Sequence, residues 1–90
     1  MTKTHLFGEM DLDLTQTAQD VFNKAYHISE MCGYITEAFD DHIDIRGEDC
    51  DDAFYVINRL HIDNKKIVGV TKRVYLYDDN KLLKIKVVSL

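Results

Sequence analysis

The chain has 90 residues, 46% of them hydrophobic and 30% charged, with a net charge of −5 and a pI near 5.2. That length predicts one domain, 1–90, burying roughly 60–65% of its unfolded surface. The composition excludes a disordered chain, and no apolar run approaches the roughly 20 residues of a bilayer span.

The amino-terminal MTKTHLFGEMDLDL has no continuous apolar stretch after Lys3, so it does not read as a secretory signal. Cys32 and Cys50 form no C-x-x-C pair and are too few for a disulfide framework, which points to two reduced thiols in a cytoplasmic protein. Charge is unevenly spread. Residues 1–52 carry thirteen acids against Lys3, Lys24 and Arg46, a balance of −10, while residues 53–90 carry Asp63, Asp78 and Asp79 against eight Lys and Arg, a balance of +5.

In chain order, HLFGEMDLD alternates Leu6, Met10 and Leu12 against Glu9, Asp11 and Asp13 and suits an edge strand. The clearest element is a helix over Leu14–Phe39. Leu14, Ala18, Val21, Phe22, Ala25, Ile28, Cys32, Ile35 and Phe39 fall within an arc of about 140°. Asp13 with Gln16 is its expected capping pair. At about 1.5 Å per residue this helix would reach close to 39 Å, more than one small sheet needs, so part of its stripe is expected to meet a second copy. HIDIR after it suits a short strand.

AFYVINRLHI sets Phe54, Val56, Leu60 and Ile62 on one side and reads as a strand joined through DNKK to the run starting at Ile67, with a short helix as the competing reading. IVGVTKRVYLY and LLKIKVVSL are rich in β-branched and aromatic residues and form a hairpin around DDNK. Pairing Tyr77 with Leu82 sets Val74, Leu76, Leu83 and Ile85 on a core face and Arg73, Tyr75, Tyr77, Lys84 and Lys86 on the other. The expected fold is α+β, one long amphipathic helix on an antiparallel sheet of three or four strands, ordered strand, helix, meander. Its expected core is Phe22, Ala25, Ile28, Cys32, Ile35, Phe39, Val70, Val74, Leu76, Leu83, Ile85 and Val87.

The stretch EAFDDHIDIRGEDCDD places Glu37, Asp40, Asp41, Asp44, Glu48, Asp49, Asp51 and Asp52 around the single cation Arg46. As an EF-hand loop anchored on Gly47 it would put His42, Asp44, Arg46 and Ala53 at the ligand positions, which fails. No zinc spacing joins His42 and Cys50, so no metal and no cofactor are expected. G-x-S-x-G, P-loop, G-x-G-x-x-G and H-E-x-x-H are all absent, so no catalytic residue is assigned and no enzyme is expected. An ordinary solvated junction between helix and sheet would also look like this.

On a continuous helix, Glu30, Glu37 and Asp41 would form a row spaced by about 6–10 Å, a pattern that imitates a phosphate backbone to a basic groove. The expected function is a non-catalytic acidic binding protein using Glu30, Glu37, Asp40, Asp41, Asp44, Glu48, Asp49, Asp51 and Asp52. It would neutralise a larger basic-surfaced protein, such as a nucleic-acid enzyme of a defence or toxin system. In size and charge the chain is similar to the small acidic DNA-mimic inhibitors of phages and mobile elements, to anti-CRISPR and anti-restriction proteins, and to immunity proteins and antitoxins. The alternative is a nucleic-acid-binding module in which Tyr75 and Tyr77 stack bases while Arg73, Lys84 and Lys86 meet phosphates. A homodimer is expected, and no membrane partner.

Overall fold

A computed structural model describes residues 3–7, 10–48 and 53–88. It is α+β: one helix packs on a five-stranded antiparallel sheet, preceded by a two-stranded hairpin. The hairpin pairs β1 (Lys3–Phe7) with β2 (Met10–Asp13) and is followed by α1 (Ala18–Cys32). The sheet is a simple meander of β3 (Ile35–Ala38), β4 (His42–Glu48), β5 (Phe54–Asp63), β6 (Lys66–Leu76) and β7 (Leu82–Val88), each strand beside the next in sequence. The expected strand over AFYVINRLHI is β5, and HIDIR lies within β4.

The helix is shorter than its apolar stripe suggests. Thr17, not Asp13, is its N-cap, accepting from the backbone N–H of Asp20, while Asp13 bonds Thr15 within the preceding turn. At the other end Gly33 takes a left-handed φ of 81°, and both Gly33 and Tyr34 donate to the Ser29 carbonyl. The β-branched pair Ile35 and Thr36 then continues as strand. Fifteen residues make a helix of about 22 Å. The excess length expected to seek a second copy is therefore absent.

β5 and β6 are joined by a two-residue turn, Asn64 and Lys65, both at positive φ, the twist that closes tight hairpins. The β6–β7 connection is longer than DDNK implies. Leu76 N–H donates to the Lys81 carbonyl, Lys81 N–H to Asp79, and Asn80 sits at φ 55°. The register becomes Arg73 opposite Ile85 and Val74 opposite Lys84, with a bulge after Val74. Because side chains alternate with period two, this one-residue slip turns β7 over relative to the expected pairing.

The core lies between one face of the sheet and the helix with the neighbouring β2. Met10, Leu12, Val21, Ala25, Ile43, Ile45, Leu60 and Val70 are fully buried there, with Phe22, Ile28, Tyr34, Ile62 and Val88 packed around them. Of the expected core, Ala25 and Val70 are buried, and Phe22, Ile28, Val74 and Leu76 are partly so. Cys32, Ile35, Phe39, Leu83, Ile85 and Val87 are exposed. For Cys32, Ile35 and Phe39 the reason is the helix end at Gly33; for Ile85 and Val87 it is the turned strand.

Candidate functional site

The face of the sheet away from the helix follows from the pairing. Ile35, Arg46, Ile57, Arg73 and Ile85 stand side by side across all five strands. The next row in register is Glu37, Asp44, Arg59, Thr71 and Val87. Tyr55 and Tyr75 form a further pair beside the first row. Among the described residues, the helix and β2 both pack on the opposite face.

Two acid–base pairs of this open face are tied together. Arg59 donates from Nε to Asp44 Oδ1 at 2.8 Å and from Nη2 to Oδ2 at 3.0 Å, a two-pronged, charge-assisted contact. Asp44 in turn holds the Arg59 guanidinium protonated more firmly than usual. His42 Nδ1 lies 2.5 Å from Asp41 Oδ1, and its Nε2 lies 3.8 Å from Asp44. The hydrogen bond from His42 lowers the pKa of the Asp41 carboxyl below its ordinary 3.8. Phe39 stacks on the His42 ring at 4.5 Å, and His61 bonds Thr71 at 2.9 Å. The Arg73 Nε is buried without a hydrogen-bond partner in the described structure.

The aromatics form one stack. Tyr55 and Tyr75 lie nearly parallel, 5.0 Å apart, and Tyr77 is tilted against Tyr55 at 5.2 Å. The Arg46 guanidinium sits 4.1 Å over the Tyr55 ring and 5.8 Å from that of Tyr77, within cation–π range. The Tyr55 hydroxyl donates to Asn80, tying the stack to the β6–β7 turn.

Several expected site residues change place. Glu30 is exposed on α1, but Glu37 is on β3 and Asp40 and Asp41 are in the β3–β4 turn. The carboxylate row drawn along a continuous helix therefore does not form. Asp44 is engaged by Arg59 rather than free for a partner. Glu48 closes β4, and Asp49, Asp51 and Asp52 lie outside the described residues. Asp40 and Asp41 instead meet Asp63, Asn64 and the helix start at Thr17 around an open cleft of about 740 Å³. The basic and aromatic set is split by the slip of β7. Arg73, Tyr75 and Tyr77 remain on the open face, whereas Lys84 and Lys86 join Lys72 and Val74 on the other.

Comparison of the chain with protein-family models, with curated proteins and with solved structures gives no match. The site is therefore read from its geometry. Sequence reasoning missed Arg46, Tyr55, Ile57 and Arg59. For the three on β5 the signal was present as the complement of the strand's alternation, where Tyr55, Ile57, Arg59 and His61 interleave with Val56, Asn58 and Leu60. Among the described residues no helix is long and apolar enough to cross a membrane, and no group of three or more His, Cys, Asp or Glu residues is placed to hold a metal ion.

Proposed function

We propose that the chain is a non-catalytic binding protein that docks on a larger protein and blocks it through the open face of its sheet. The observation that carries this reading is the row Ile35, Arg46, Ile57, Arg73 and Ile85, which crosses the sheet beside the tyrosine stack. Arginine and aromatic residues around an apolar centre are what protein interfaces concentrate, with other charges kept to the rim. Arg59 bonds Asp44, His42 bonds Asp41 and His61 bonds Thr71, which favours binding over acid–base work.

A second reading keeps the basic-surfaced partner, a nucleic-acid enzyme, and places it on Glu37, Asp40 and Asp41. The cleft that joins the last two to Asp63 favours it. The nucleic-acid alternative is weakened because Lys84 and Lys86 stand with Lys72 and Val74 on the face opposite Arg73, Tyr75 and Tyr77, so its phosphate and base contacts are divided between two sides of the sheet.

Capture from a host lysate by three forms of the protein tests these readings. Loss of the captured partner from an Arg73→Glu/Ile85→Lys variant, but not from Glu37→Gln/Asp40→Asn/Asp41→Asn, supports the open face. The reverse result moves the interface to the acidic end. Retention by both variants removes both surfaces, and oligonucleotide binding that falls steeply with salt would restore the nucleic-acid alternative.

A further inference from the structure

β7 is an edge strand of seven residues, and among the described residues only β6 pairs with it. Leu82, Leu83, Ile85 and Val87 are 39%, 45%, 50% and 77% exposed. A row of unpaired main-chain groups with apolar side chains beside it is a template for a further strand. The two faces of this edge differ. Ile85 and Val87, beside Arg73 and Thr71, stand on the open face. Lys84 and Lys86 stand on the other, where Lys86 is directly opposite Lys72 and all three lysines line a small hollow of about 120 Å³ with Val74. Like charges directly opposed across a strand pair are destabilising, so this triad is electrostatically incomplete.

We propose that β7 accepts an extended segment of a partner protein, added as a sixth strand, with acidic residues at alternate positions over the lysines and apolar residues between them. The proposal rests on the reading of the chain as a binding protein. Charge selects the occupant. A second copy pairing antiparallel about Ile85 would set Lys84 against Lys86 in both halves, adding like charge to like. A second copy offering its β3 edge would bring Thr36 and Ala38 to the lysine face if it paired parallel, and Ile35 and Glu37 if it paired antiparallel, so it offers at most one carboxylate to two lysines. A segment with carboxylates two residues apart matches both lysines at once, and its intervening apolar side chains cover Ile85 and Val87. Main-chain pairing supplies affinity and the alternate side chains supply specificity, as in other strand additions.

The test uses the full chain, nitrogen-15 labelled, and an octapeptide alternating valine and glutamate. Amide shifts are followed on titration. The expected result is saturable movement of the β7 amides, with affinity reduced about three- to tenfold in a Lys84→Gln/Lys86→Gln variant by the loss of two cross-strand pairs. It should also fall with salt. An octapeptide alternating valine and lysine should not bind, and N-methylation along one edge of the acidic peptide should abolish binding. The idea is overturned if the β7 amides stay still at millimolar peptide, if the lysine peptide binds as well, or if the N-methylated peptide binds unchanged. Such a failure leaves the functional reading intact when Arg73→Glu/Ile85→Lys still releases the captured partner. If neither experiment shows binding, that reading falls as well.

Discussion

Ser29 of α1 and Thr36 of β3 share a buried side-chain hydrogen bond across the left-handed turn at Gly33. Either hydroxyl can donate, and the bond clamps the end of the helix to the edge strand of the sheet. A buried polar group left without a partner loses about 1–3 kcal/mol. Ser29→Ala should therefore destabilise the fold by about that amount in urea unfolding. Ser29→Ala with Thr36→Val should recover most of the loss, because neither side is then left unpaired. If the double variant is as unstable as the sum of the singles, the bond is not what holds the two elements.

Gly33 tests the same junction through the backbone. A β-carbon at this position would meet no atom within 4 Å, so space is not the constraint. The constraint is φ 81°, a conformation that costs a residue with a side chain about 1–2 kcal/mol. Gly33→Ala should lower stability by about that much, and Gly33→Asn by less, since asparagine tolerates the left-handed region. Equal stability of all three proteins would mean that the helix does not end there.

Truncation distinguishes the two faces of the sheet. Leu60 and Ile45 are fully buried against the helix side, so Leu60→Ala or Ile45→Ala should cost about 2–5 kcal/mol. Ile85 is half exposed on the open side, and Ile85→Ala should cost under about 0.5 kcal/mol. Denaturant midpoints at constant slope decide it. A large loss at Ile85 would restore the register in which Tyr77 meets Leu82.

That register marks where the sequence stopped being legible. The strand character of Ile67–Tyr77 and of Leu82–Val88 follows from β-branched and aromatic residues with period two, and the α+β class follows from that pattern beside the helical stripe at Val21, Phe22, Ala25 and Ile28. The faces of β7 did not follow, because they depend on a single residue in the turn. Asn80 at positive φ and the bulge after Val74 set the pairing, and neither alters the composition of the flanking runs. The helix end failed for a related reason. Ile35 and Phe39 continue the helical spacing by coincidence, while Gly33 followed by Ile35 and Thr36 was the stop signal. The acidic row was inferred from that extended helix and went with it. The open face was legible only as the complement of β5, and its arginines became a row when β4, β5 and β6 aligned in register.

Asp41 and His42 give a pH signature. The folded-state pKa of Asp41 is depressed, chiefly by the hydrogen bond from His42. The sign follows from linkage: the contribution is present above the ordinary pKa of 3.8 and is lost as pH falls through the lower folded value. Carbon-13 titration should place the Asp41 carboxyl below 3.8, and His42→Phe should raise it by removing the donor. An Asp41 titration unaffected by His42→Phe would show that the pair does not form in solution.

The lysines of β7 also predict how the protein behaves alone. On an exposed strand, charged side chains prevent edge-to-edge pairing between copies, and lysine is the usual choice. Here Lys84 would oppose Lys86 of a second copy pairing about Ile85, and Lys72 adds a third charge beside them. The helix offers no other route of the expected kind, since it ends at Cys32 rather than extending beyond the sheet. The protein should therefore be a monomer by light scattering at about 100 μM and physiological salt, where screening acts over about 8 Å and leaves directly opposed charges in force. Replacing the guard should reverse this. A Lys84→Val/Lys86→Val variant leaves an uninterrupted apolar edge and should form dimers or larger assemblies at the same concentration. Lys84→Glu should associate more than the parent protein, because each glutamate then faces Lys86 of the other copy. If the valine variant stays monomeric, the β7 edge is closed to strand addition of any kind, and the partner segment proposed for it has no seat.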